Sequence, residues 1–244
     1  MKRQTSFVFL AFVFFVSVYA AGAQTYKPPV FTDAGRLKKI EETFPVIDKI
    51  YKDYAEQNHF PGLVYGIVAD GKLVHTGGVG YSRIADKTEA TSKSAFRIAS
   101  MSKSFTAMAI LKLRDEGRLR LDDPISLYMP DAKNMKRLTK DAPAITIRHL
   151  LTHTAGYPED NPWGDRQLAN TDQQLIELYK KGISFSHDPG QEYEYSNLGF
   201  ATLGYIIKKV SGKTYEQYIT ENILKPLGMN HTYYEYTKVP AELL

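Results

Sequence analysis

Ser100 and Lys103 stand three residues apart in Ser100-Met101-Ser102-Lys103, a spacing that puts both side chains on one face of a helix, one turn apart. Serine is a poor nucleophile at its own pKa. To attack a carbonyl it needs a neighbouring base and a place for the negative charge that develops. The apolar positions Phe105, Met108, Ala109, Leu111 and Leu113 predict a helix from about Met101 to Glu116, closed by Gly117. Ser100 then lies at its positive end, where unpaired N–H groups and the helix dipole favour an alkoxide or oxyanion. By itself the pair is weak, since a chain of this size holds about one Ser-x-x-Lys by chance. A helix cap followed by a solvated lysine accounts for it unless other residues converge on the same place.

Further residues are found in Gly190-Gln191-Glu192-Tyr193-Glu194-Tyr195-Ser196-Asn197, where a phenol and an amide stand two apart just before another helical pattern. This segment resembles the Tyr-x-Asn motif of class C serine β-lactamases, and Phe96-Arg97-Ile98-Ala99 followed by Ser100 to Lys103 resembles their Ser-x-x-Lys motif. Between the two, His149-Leu150-Leu151-Thr152-His153-Thr154-Ala155-Gly156 is similar to that family's LLTHTSG segment. Pro226-Leu227-Gly228-Met229 is similar to its PLGM turn. The four matches run in family order and span most of the chain from Pro61 to Met229. The sequence thus resembles the class C β-lactamase-like serine hydrolases, a superfamily that includes penicillin-binding proteins, D-amino-acid peptidases and related esterases.

The resemblance implies an α+β fold of the β-lactamase/transpeptidase type and a role for each residue. Ser100 would be the nucleophile that forms an acyl-enzyme, and Lys103 the cation that holds and helps deprotonate it. Tyr195 would be the general base or proton relay, and Asn197 would orient Lys103 and the substrate amide. A free tyrosine titrates at about 10, so acting as a base at neutral pH requires lowering its pKa by roughly 3, or about 4 kcal/mol. One ammonium at ~4 Å offers about that much at an effective dielectric of about 20, before desolvation is subtracted. The resemblance implies no cofactor and no metal, and a small-molecule or peptide substrate.

The sequence departs from the family at the third motif, a Lys-Thr-Gly or His-x-Gly strand expected after Asn197. Lys213-Thr214-Tyr215 lacks the glycine and reads as a capped helix start. His75-Thr76-Gly77 has the letters but precedes Ser100 and reads most simply as a strand end. The chain stops at Leu244, where family members return to complete their sheet. The expectation is therefore an amino-terminal portion of a longer enzyme that lacks the C-terminal sheet strands, with weak or absent activity in residues 24–244 alone.

The elements that must position these residues follow from periodicity. Leu37, Ile40, Ile47, Ile50, Tyr51 and Tyr54 recur at helical spacing, with Pro45 either kinking one helix or starting a second. Leu63 to Ala69 and Lys72 to His75 flank Asp70-Gly71 and predict a tight hairpin. Leu121 to Met129, with Pro124, reads as loop, and Ile147 to Thr152 as a short helix. Thr171 with Gln174, and Thr214 with Gln217, are capping-box pairs opening helices that reach Lys181 and about Leu224. Between them, Leu198 to Val210 reads as a helix ending at Gly212. The predicted organisation is a leader over 1–23, an N-terminal helix and hairpin over 24–97, a mostly helical lobe over 98–228, and the start of a return to the sheet over 229–244.

Composition closes off other classes. Lys and Arg number 31 against 27 Asp and Glu, a net +4 with no basic run longer than a pair, too diffuse for nucleic acid. With no Cys there are no disulfides, thiol nucleophiles or thiolate metal sites. Lys2 and Arg3, the apolar stretch Phe7 to Ala20, and Ala21-Gly22-Ala23 form an export signal with a mature start at Gln24. The stretch is short for a bilayer span, so the expected location is extracytoplasmic, periplasmic or secreted, with no membrane span after cleavage. His149 and His153 could share a helix face as metal ligands, though they lack the His-Glu-x-x-His arrangement. Tyr157 and Trp163 could border a substrate cleft. Two readings stand: a serine hydrolase acting on a β-lactam, a D-amino-acid peptide or a small ester, and a non-catalytic remnant or cell-wall-peptide binding module of the same fold. Oligomeric state is not legible.

Overall fold

The computed structural model describes residues 29–160 and 170–244. The leader and Trp163 lie outside the described residues. Two short helices open the fold, α1 (Arg36–Glu41) and α2 (Phe44–Gln57). Pro45 starts the second rather than kinking a single one: it lies in the first turn of α2, where a missing N–H costs nothing. The hairpin follows as β1 (Gly62–Ala69) and β2 (Lys72–Arg83), antiparallel, with Ala69 opposite Lys72. Asp70 and Gly71 both take positive φ, 49° and 73°, the backbone that a two-residue turn needs to match the twist of its strands.

β2 continues well beyond His75 and pairs with a third strand, β3 (Thr88–Glu89), giving sheet order β1-β2-β3. His75-Thr76-Gly77 is therefore mid-strand, not a strand end. Alternation alone could not show this, because the continuation Thr76-Gly77-Gly78-Val79-Gly80 is poor in strand formers. The glycines are there for close approach. A Cβ on Gly77 would fall 2.1 Å from the Tyr65 hydroxyl, and one on Gly78 2.1 Å from the Ala90 carbonyl oxygen. α2 lies against this sheet through stacked rings, Phe44 on His75 at 4.3 Å and Tyr51 on Tyr65 at 4.1 Å. Asp48 joins them, accepting the Tyr65 hydroxyl and meeting His75 Nε2, each at 2.5 Å.

The rest is mostly helical. A 3-10 turn (Ala99–Met101) leads into α3 (Ser102–Asp115), followed by α4 (Ile147–Leu151), α5 (Asp172–Lys181), α6 (Asn197–Ser211) and α7 (Tyr215–Ile219). α7 runs on through a wider π turn over Thr220–Leu224 before Pro226 ends it. Both predicted capping boxes are formed, with Thr171 and Thr214 accepting from the backbone of Gln174 and Gln217. The stretch read as loop contains one 3-10 turn, Ile125–Leu127, pinned where Ile125 N–H donates to the Ile145 carbonyl at 2.9 Å.

The core sits in the helical region. Ala109, Ile110 and Leu113 of α3 and Leu203, Ile206 and Ile207 of α6 are fully buried and pack with Leu150 and Ile219. At roughly 1.5–3 kcal/mol per large buried aliphatic side chain, this packing dominates the folding energy and locks α3 against α6. α2 buries only Ala55, while Val46 and Ile50 stay 61% and 59% exposed. The consequence for function is that α3 and α6 are the rigid pair, and their first turns carry residues singled out for chemistry, Lys103 and Asn197.

Candidate active site

Ser100 lies one step earlier than expected, on the 3-10 turn that feeds α3 rather than on the α-helix itself. Ala99 before it holds φ 44°, a left-handed conformation that costs a residue with a Cβ about 1 kcal/mol or more. Lys103, half-buried in the first turn of α3, reaches three acceptors: Ser100 Oγ at 3.0 Å, Tyr195 Oη at 2.6 Å and Asn197 Oδ1 at 2.6 Å. An ammonium has three N–H donors, so each has an acceptor. Ser100 Oγ and Tyr195 Oη are themselves 2.6 Å apart. The four predicted residues thus meet at one point, with hydroxyl, ammonium and phenol in a closed triangle and the amide fixing the ammonium from the far side. Their chain separation of more than ninety residues between Ser100 and Tyr195 is bridged by the packing of α3 on α6.

Two residues hold the Tyr195–Asn197 segment. Asn197 is the first residue of α6 and Ser196 its cap, with Ser196 Oγ accepting from Gly199 N–H at 3.0 Å. Asp160 completes that cap. Its carboxylate accepts the N–H of Asn197 at 2.5 Å and of Leu198 at 2.7 Å, and the Ser196 hydroxyl at 3.0 Å. A carboxylate there satisfies two orphan donors and sits at the favourable end of the helix dipole. His153 holds the strand-like stretch before it: its carbonyl accepts Glu194 N–H at 2.8 Å and its Nδ1 accepts Ser196 N–H at 3.0 Å. Burial, and next the charge of Lys103, push the His153 imidazole below its ordinary pKa, with Asp160 acting weakly the other way. Asp160 escaped sequence reasoning because nothing in its neighbourhood marks it; its partners lie 36 to 38 residues on.

Other candidates are placed elsewhere. His149 and His153 do not share a helix face: α4 ends at Leu151 and His153 adopts φ 56°. His149 Nδ1 accepts Thr146 N–H at 3.2 Å, closing the capping box of α4, so the lone pairs that would bind a metal on these nitrogens are taken by the backbone. Tyr157 is a core residue rather than the rim of this site. Its ring is buried, its hydroxyl meets Tyr179 at 2.9 Å, and burial holds the phenol well above its usual pKa. The cavity of about 470 Å³ that it lines with Pro158, Leu178 and Ile183 contains none of the four residues. Lys213-Thr214-Tyr215 is the capped start of α7, as its letters suggested. His75 is committed to Asp48 on α2.

A small antiparallel sheet backed by one helix, beside a helical lobe in which Ser-x-x-Lys opens one long helix and Tyr-x-Asn another packed against it, is the β-lactamase/transpeptidase-like fold. A family model described as Beta-lactamase matches residues 47–241, and the chain belongs to that family of serine hydrolases. It is 38% identical over 198 residues to Protein flp of Staphylococcus aureus, covering 80% of this chain and 39% of that protein. Among solved structures it is similar to an octameric penicillin-binding protein homologue from Pyrococcus abyssi, with TM-score 0.65 and 32% identity over 84% of this chain and 45% of the other. A class C β-lactamase aligns with TM-score 0.69 and 27% identity over 84% of this chain and 53% of the other. The chain therefore spans roughly two fifths to one half of the relatives it matches.

Proposed function

We propose that this chain carries the nucleophile side of an exported serine hydrolase that works through an acyl-enzyme. The observation that supports this most is the triangle of Ser100 Oγ, Lys103 Nζ and Tyr195 Oη, with sides of 3.0, 2.6 and 2.6 Å. In the reading it supports, Tyr195 acts from its phenolate form, and the Ser100 hydroxyl gives its proton to that oxygen as Oγ bonds to the substrate carbonyl carbon, leaving a neutral phenol. Lys103 offsets the charge on the phenolate oxygen, and Asn197 keeps Lys103 in place. Collapse of the tetrahedral species expels an amine or alkoxide, which takes the proton back, and water later releases the acid by the reverse route. Substrates of this chemistry are a β-lactam, a D-amino-acid peptide or a small ester. Secretion or periplasmic location rests on the N-terminal sequence alone; a mature protein beginning at Gln24 is the expected result of N-terminal sequencing.

The test is intact-mass measurement after incubation with a fluorescent penicillin and, separately, a fluorophosphonate, beside Ser100→Ala. A Ser100-dependent adduct is expected, and the probe that labels narrows the substrate class. A folded protein that takes neither probe favours the second reading, a binding module. Among the described residues, His75 is bonded to Asp48 of α2 and Lys213-Thr214-Tyr215 caps a helix, so neither triplet meets Ser100 as a third motif.

A further inference from the structure

His153 makes more contact with the Tyr195 segment than a core histidine requires. Its ring stacks on the Tyr195 phenol with centroids 4.7 Å apart and planes 28° from parallel. Phe200 of α6 packs against it at 5.0 Å and Tyr193 meets it edge-on at 5.5 Å. It makes these contacts from a left-handed backbone, φ 56°, uncommon outside glycine though better tolerated by Asn, Asp and His than by other residues. The strain is held by the two backbone bonds from Glu194 and Ser196, which flank Tyr195 on either side. The phenol is thus fixed by its two neighbours in the chain and by the ring on which it lies.

We infer that His153 is a positioning residue for Tyr195: as a neutral imidazole bonded through Nδ1 to Ser196 N–H and stacked on the phenol, it sets the ring whose oxygen meets Ser100 and Lys103. This rests on the acyl-enzyme reading above and adds a residue and a pH dependence to it. Ser196 N–H is a donor, so Nδ1 must carry a lone pair and the ring proton must be on Nε2. A second proton would set two donors face to face and place a second cation beside Lys103. The titratable and charged groups around the ring are Lys103 from α3, Asp160 from the stretch of chain that follows His153, and Tyr193 and Tyr195 from its own partner segment. The Glu194 carboxylate turns away to Glu159 N–H at 2.8 Å. Of these, burial and Lys103 disfavour the imidazolium and only Asp160 favours it. Activity should therefore fall in acid as His153 takes up its proton, below the ordinary histidine range.

Two substitutions separate the parts. His153→Asn keeps an acceptor near the Nδ1 position and tolerates left-handed backbone, but cannot titrate; His153→Phe keeps the stack and loses the acceptor. The measurement is the second-order rate of Ser100 labelling by the penicillin or fluorophosphonate probe from pH 4.5 to 9, using the full chain. The expected result is an acid limb in the wild type that His153→Asn removes, and a rate about 10-fold or more lower at every pH for His153→Phe. An acid limb unchanged in His153→Asn overturns the inference. A wild type that never labels defeats the acyl-enzyme reading instead. In that case, or if the variants unfold, nitrogen-15 and carbon-13 NMR of the wild-type histidines and tyrosines decides. An Nε2–H tautomer titrating below about 6.5 with Tyr195 ring shifts following it sustains the positioning role, whereas a freely titrating His153 with Tyr195 unmoved overturns it.

Discussion

Lys103 has an acceptor for each ammonium hydrogen and Ser100 shares its hydroxyl with a phenol oxygen, so removing any one member leaves polar atoms without partners. Tyr195→Phe deletes only the oxygen that would take the serine proton. Its labelling rate should fall by about 10²–10⁴-fold with the melting temperature little changed, the range for loss of a positioned base. Lys103→Ala should cost at least as much, and Asn197→Ala less, because Asn197 touches the ammonium and not the serine. If all three slow labelling equally, the ranking of roles is wrong. His149 supplies a prediction on stability. Its pKa is pushed down, chiefly by burial, and its unprotonated Nδ1 closes the α4 capping box. A histidine depressed in the folded state contributes stability that is present above the unfolded pKa of about 6.5 and is lost as pH falls from there through the folded value. The melting temperature should drop between pH 7 and 5, and His149→Asn should flatten that slope; a slope unchanged in the variant assigns it to other groups.

Helix starts decide where the side chains stand. Thr171 and Thr214 were readable as caps because Gln follows each at the third position, and the structure forms both boxes. Thr214→Ala should cost about 1 kcal/mol, or roughly 2–4 °C in a chain of this size, without altering labelling. α6 is different. Its own cap, Ser196, was not read from the sequence, and its second cap, Asp160, comes from another loop. Asp160→Ala removes the acceptor of Asn197 and Leu198 N–H, so it should slow Ser100 labelling by about 10-fold or more in addition to destabilising the fold, since Asn197 moves with the helix end. A variant that melts lower yet labels at the wild-type rate would make Asp160 a cap and nothing more. The turn at Asp70-Gly71 was equally legible, for two residues with easy left-handed backbone between alternating strands leave few other geometries. The length of β2 was not, because glycine-rich strand carries little alternation to read.

Over the whole molecule the buried core is unevenly spread. Leu203→Ala or Ile206→Ala, at fully buried positions of α6, should cost about 2–5 kcal/mol, whereas Ile50→Ala on the exposed side of α2 should stay within about 0.5 kcal/mol. Amide hydrogen exchange should be slowest in α3 and α6 and faster in α2 and β1; uniform protection would mean that α2 and the sheet are covered in solution by something more than these contacts. What the sequence by itself determined was the family, and the helices and turns with local signatures, because Ser-x-x-Lys, Tyr-x-Asn, capping boxes and Asp-Gly are each complete within a few residues. What only the tertiary structure decided was that Ser100 and Tyr195, ninety-five residues apart, come to 2.6 Å. The same holds for the 3-10 placement of Ser100, the strand position of His75-Thr76-Gly77, and the parts played by Asp160 and His153. These depend on which faces of α3, α4 and α6 pack together and on backbone groups that find partners only across the fold, and neither leaves a periodic trace in the chain.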